Sequence, residues 1–118
     1  MDGARVRRRL REEEARLERL VEETRRALGG PDRDGGERDP LDHGRIEMDR
    51  AQELAILGQV EGELLDVRAA LEKLAAGTYG TCEACGRTIP GERLTARPGA
   101  RFCIEDQRRT ERLGSRVA

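Results

Sequence analysis

Cys82-Glu83-Ala84-Cys85, seventeen residues, then Cys103-Ile104-Glu105-Asp106: this stretch decides how the rest of the chain is read. A C-x-x-C turn sets two sulfurs close enough to grip one small ion. A second knuckle brought back by a short hairpin supplies the remaining donors. Zinc takes four ligands in a tetrahedron, from thiolate, imidazole or carboxylate. The spacing is that of a two-knuckle zinc finger, with Asp106 where the pattern has a fourth cysteine. Cys82, Cys85, Cys103 and Asp106 are therefore the candidate ligands of one structural zinc ion. The alternative is a metal-free finger held by Ile89, Leu94, Phe102 and Tyr79.

Composition agrees with a small, local core. Of 118 residues 40% are charged and 2% aromatic, and both aromatics, Tyr79 and Phe102, lie near the cysteines. A core of that size needs a staple. Three cysteines is an odd count, which disfavours a secreted disulfide framework. With no long apolar run and no leader pattern, the expectation is a cytoplasmic protein without membrane contact. Net charge is −1, spread as +2 over residues 1–28, −2 over 29–45, −4 over 46–76 and +3 over 77–118. Basic ends around an acidic middle do not suit a chain that wraps nucleic acid.

Upstream, residues 2–28 read as a helix with a narrow apolar stripe of Val6, Leu10, Leu17, Leu20, Thr24 and Ala27, breached by Glu13. Leu28-Gly29-Gly30-Pro31 stops it. Asp39-Pro40-Leu41-Asp42 starts a second helix, with Asp39 as N-cap, Pro40 in the first turn and Asp42 facing free amides. Its heptad tracks, Leu57-Leu64-Leu71 and Ile46-Glu53-Val60-Val67-Leu74, run to a stop at Gly77. Two such helices make an antiparallel coiled-coil hairpin. The expected fold is mostly α: a hairpin over 1–77 with a tip loop at 29–42, and a finger domain over 78–118. In the finger, Arg101-Phe102-Cys103 is expected to pair with Arg87-Thr88-Ile89 as strands. A terminal helix is expected from Ile104 to about Leu113.

The finger residues Tyr79-Gly80, Cys82-Glu83, Cys85-Gly86, Ile89, Arg93-Leu94, Ala96-Arg97-Pro98, Ala100 and Cys103-Ile104 resemble the zinc-finger signature of the DksA/TraR family of bacterial RNA polymerase regulators. Asp39-Pro40-Leu41-Asp42 resembles that family's D-x-x-D tip, at a matching distance from Cys82. The resemblance covers roughly residues 30–110, and the size is closer to the short TraR-like members.

It implies a monomeric transcription regulator that binds RNA polymerase and does not recognise promoter sequence. The hairpin would enter the secondary channel and bring Asp39 and Asp42 near the active centre. The finger and last helix would rest at the rim. It also implies action with the alarmone ppGpp of the stringent response, with Arg97 as a polymerase or alarmone contact. Two further positions where longer members carry basic side chains hold Asp66 and Gln107, so strong synergy is not expected. His43-Gly44 also departs from the family's tip, and glycine loosens the first turns of a helix.

No nucleophile–base pair or phosphate loop accompanies the cysteines, and the chain has one histidine. No enzymatic activity and no catalytic residue are expected. Two other functions fit the residues: a coiled-coil adaptor stapled by a zinc finger, and a zinc-ribbon nucleic-acid binder using the basic C-terminal segment.

Overall fold

The computed structural model describes residues 2–29 and 40–117, with side chains over 2–29 and 48–113. Four helices follow in order: α1 (Gly3–Gly29), α2 (Pro40–Ala76), α3 (Gly91–Ala96) and α4 (Ile104–Val117). The mostly α architecture, with two long helices and a small C-terminal finger, is the one expected. Among the described residues no helix is long and apolar enough to cross a membrane.

The chain divides into two compact units, Ala15–Leu64 and Met1–Glu14 with Leu65–Ala118. In the first, Leu17, Val21, Val60 and Leu64 are buried. Arg25 pairs with Glu61 at 3.3 Å, and the Arg50 guanidinium donates to the Leu28 carbonyl at 3.2 Å. Numbering falls along α2 as it rises along α1, so the segments run antiparallel. Arg50 also sets a cation against the negative end of the α1 dipole.

In the second unit, Leu10, Val67 and Ala70 are buried, and Arg68 meets Glu14 at 3.4 Å. The finger has its own small core of Cys82, Ile89 and Leu94, with Tyr79, Ala100, Phe102 and Cys103 packed against it. Gly77 ends α2 at φ +80, where a side chain would be strained. Thr78 N–H donates to Lys73 O at 2.8 Å and Gly77 N–H to Leu74 O at 3.2 Å. Both hydrogen bonds satisfy carbonyls that the helix leaves over. At Gly99 the finger backbone lies against α2: a Cβ there would sit 3.1 Å from Val67 Cγ2 and 3.2 Å from Val67 N.

Two sequence expectations change, and one short helix is added. The stripe of α1 keeps Leu10 and Leu17 buried and Val6, Leu20 and Thr24 half-buried, but adds a buried Val21 and leaves Ala27 exposed. Leu10-Leu17-Thr24 is common to two possible stripes, and Val21 adds a large buried side chain beside the track of Val6, Glu13, Leu20 and Ala27, whose last member is small. Glu14 then falls at the edge of the seam, held by Arg11 and Arg68. The expected pairing of 101–103 with 87–89 is replaced by a local one. Thr81 bridges Thr88, flanked by Cys82 N–H to Arg87 O at 2.8 Å and Ile89 N–H to Gly80 O at 2.7 Å. Arg101 instead receives the Glu83 N–H at its carbonyl, 3.0 Å. The finger thus has no full strand among the described residues. The added helix is α3, which begins directly after Pro90.

Candidate metal centre

Gly86 lets the first knuckle close. At φ +75 it takes a conformation that side chains disfavour, and its N–H donates to Cys82 O at 3.0 Å. Cys82 and Cys85 therefore sit on one tight turn. The second pair comes from the start of α4. The Cys103 carbonyl accepts the Gln107 N–H at 2.9 Å, which makes Cys103 the residue that opens the helix. Asp106 follows one turn inside, where a carboxylate is favoured by the helix dipole.

The donor atoms of Cys82, Cys85, Cys103 and Asp106 all lie within 4.8 Å of one another. Asp106 Oδ2 accepts from Cys82 Sγ at 3.2 Å and from Cys103 Sγ at 3.1 Å, and Cys85 Sγ is 4.0 Å from Cys103 Sγ. Zinc bonds of about 2.3 Å to sulfur and about 2.0–2.2 Å to oxygen give tetrahedron edges of about 3.8 Å between sulfurs and about 3.5 Å from sulfur to oxygen. The three separations of 3.1, 3.2 and 4.0 Å each lie within about 0.4 Å of those edges. Three soft thiolates with one carboxylate suit zinc better than magnesium or calcium. The cluster is compatible with a structural zinc ion.

Electrostatics point the same way. Asp106 is the one buried charged residue among those described, 6% exposed. Thiol donation from Cys103, Cys85 and Cys82, with Arg109 nearby, holds its carboxyl down at about 2 against the opposing effect of burial. Burial acts to raise the Cys82 thiol, but backbone amides of Cys103, Cys85 and Ala84 donate to the sulfur and leave it below its ordinary value. The Arg87 amide lowers Cys85, yet the Asp106 carboxylate, desolvation and the other two sulfurs outweigh it and push that thiol to about 11. Protons thus sit among four donors that a cation would hold together in their place.

Sequence reading missed the network that braces this turn. Arg101 grips Glu83 through Nε at 3.0 and 3.1 Å and Nη2 at 2.7 Å, and Lys73 pairs with the same carboxylate. Arg101 Nη1 also lies 3.6 Å from Asp66, and its guanidinium sits over the Phe102 ring at 5.5 Å. Burial raises the Asp66 carboxyl, opposed by Arg101 and Arg97. The one lysine in the chain, Lys73, was a faint signal for this cluster. Arg97 caps α3, its N–H on Arg93 O at 2.7 Å, and Gln107 donates to Glu111 at 3.0 Å. Of the expected tip, Asp39 lies outside the described residues, and Asp42 is within α2 but beyond the described side chains.

A family model described as "Prokaryotic dksA/traR C4-type zinc finger" matches residues 77–112. The solved structure of transcription factor DksA2 from Pseudomonas aeruginosa is similar at a TM-score of 0.72 and 30% identity, over 96% of this chain and 85% of that one. The chain belongs to the DksA/TraR family. Where the family's finger is described as C4, this member brings three cysteines and Asp106 together. Among its curated relatives, General stress protein 16O of Bacillus subtilis (strain 168) is 45% identical over 67 residues, 56% of this chain and 40% of that protein. RNA polymerase-binding transcription factor DksA of Caulobacter vibrioides (strain NA1000 / CB15N) is 38% identical over 74 residues, 63% of this chain and 52% of that protein. The matched stretch therefore spans about half the length of these two relatives.

Proposed function

We propose that this DksA/TraR member is a cytoplasmic transcription regulator that binds RNA polymerase directly, through the secondary channel, without reading promoter sequence. The observation that carries this reading is the likeness to a DksA transcription factor over 96% of the chain, both long helices included. Because the likeness extends beyond the finger, it favours this reading over the adaptor and nucleic-acid readings.

In this proposal the hairpin, residues 1–77, is the arm, and 78–118 is the base that rests at the channel rim. Asp39 and Asp42 at the tip approach the polymerase active centre. Their carboxylates are hard ligands of the kind that perturb a catalytic magnesium ion. Cys82, Cys85, Cys103 and Asp106 hold one zinc ion, which fixes the start of α4 to the first knuckle. Arg97, exposed at the end of α3, is a contact for polymerase or ppGpp. Alarmone synergy is weak because Asp66, already facing Arg101, and Gln107 offer no cation.

The test is a pull-down of this chain, as a monomer, with core RNA polymerase as bait, followed by transcription in vitro. Wild type is expected to be retained and to alter promoter-complex lifetime. Asp42→Asn is expected to be retained equally and to lose that effect. A chain not retained by the polymerase defeats the proposal, and an Asp42→Asn protein with full effect defeats the tip mechanism.

A further inference from the structure

Within the unit that carries the finger, a cleft of about 360 Å³ has none of the four metal donors in its lining. Its lining includes Val6, Tyr79, Leu94 and Pro98, with two charged residues, Arg5 and Arg9. No acid lines it. The nearest acids along the chain are Glu92, exposed and next to Gly91, and Asp2, whose carboxylate accepts the Ala4 N–H at 3.1 Å. The volume is in the range of small-molecule sites, which typically join an apolar lining to a few placed polar groups.

The polar groups are placed in different ways. Arg9 donates to the Thr95 carbonyl at the end of α3, so its guanidinium is fixed at the edge of the cleft. Arg5, one helical turn earlier, is exposed and has no hydrogen bond or ion pair among the described residues. Tyr79 is half-buried and donates its hydroxyl to Pro98 O at 2.8 Å, which locks the ring. The Arg9 charge reaches this phenol, opposing the upward push of burial. The cleft thus offers a fixed aromatic ring, two aliphatic side chains, one anchored cation and one available cation.

We propose that this cleft is a binding site for a small molecule with a planar ring and one anionic group, a phosphate ester or a carboxylate. The ring lies against Tyr79, Leu94 and Val6, and the anion takes the free fork of Arg5, whose planar donors match either head group. Such a ligand would bridge the first turns of α1 and the short α3. The proposal does not depend on polymerase binding.

The chain contains one tyrosine and no tryptophan, and that tyrosine lines the cleft, so Tyr79 reports occupancy directly. The full chain, loaded with zinc, is titrated with 1-naphthyl phosphate, 1-naphthoate, neutral 1-naphthol and inorganic phosphate while the Tyr79 ring resonances are followed by NMR. At least one of the two ring acids is expected to give a saturable shift, and the head group that binds tighter names the ligand class. Inorganic phosphate is expected to leave Tyr79 unmoved. Arg5→Gln, whose melting should match wild type because Arg5 holds nothing in the fold, is expected to weaken binding about 5- to 20-fold.

The proposal is overturned if neither acid shifts Tyr79, if naphthol binds as tightly as the acids, or if inorganic phosphate alone produces the same shift. It is also overturned if Arg5→Gln, folded as judged by melting, binds as wild type does.

Discussion

Glu83→Gln tests whether the ion network braces the knuckle. The change keeps shape and removes one negative charge from between Arg101 and Lys73. The Glu83 carboxyl is lowered from 4.5 to about 2, first by the Arg101 hydrogen bonds, against burial, and then by Lys73. Taken at face value, that difference of about 2.5 is worth about 3.4 kcal/mol. Solvent screens these groups, since the Glu83, Lys73 and Arg101 side chains are 28%, 23% and 43% exposed. Exposed pairs contribute about 0–1 kcal/mol, and a bidentate network sits at the upper end, so about 1 kcal/mol is expected. For a chain of this size that is a fall in Tm of about 4 °C.

The pH dependence has a definite sign. A carboxyl depressed by folding stabilises above its ordinary value of 4.5, and that contribution fades as pH falls toward 2. Thermal melts of both proteins, without metal throughout, should differ at pH 7, and the gap should shrink as pH falls from 4.5 toward 2. Equal Tm values at pH 7 would show that the network holds nothing. A gap that persists undiminished at pH 2.5 would show that the glutamine acts by some route other than lost charge.

Asp106→Cys should make the site retain zinc longer against a chelator, because a fourth soft thiolate replaces an oxygen donor; zinc release followed by a metallochromic dye reads this. Faster release from the cysteine variant would argue against Asp106 as a ligand. Gly62→Ala, in the interior of α2 with open space around its Cβ position, should stabilise by about 0.5–1 kcal/mol. Gly99→Ala should destabilise by about 1–3 kcal/mol, since its Cβ meets both the side chain and the backbone of Val67. Urea melts of the two variants, moving in opposite directions, check the packing of the finger on α2.

Much of this fold was legible because its signals are periodic or locally spaced. The α2 tracks through Leu57, Val60, Leu64 and Val67 point inward as read, and Gly77 ends the helix. Each pair of donors was legible from spacing, because a C-x-x-C turn and the first turn of a helix are each local, while the meeting of the two pairs is set by the finger's fold. What escaped was set by contacts distant in sequence. Val21 joins the buried residues only once a partner helix selects a face. The six residues of α3 are too few to show a period. The grip of Arg101 on Glu83 spans eighteen positions, and no pattern in a row of arginines singles out residue 101.

The cluster is assembled from two places in the chain, and this has a consequence for its synthesis. Cys85 leaves the ribosome eighteen residues ahead of Cys103. At about 5–20 residues per second that is a delay of roughly one to four seconds. During that interval the nascent knuckle presents two sulfurs with neither Cys103 nor Asp106 beside them. A chain terminated before the codon for Cys103 would keep the early thiol pair and could never complete the group.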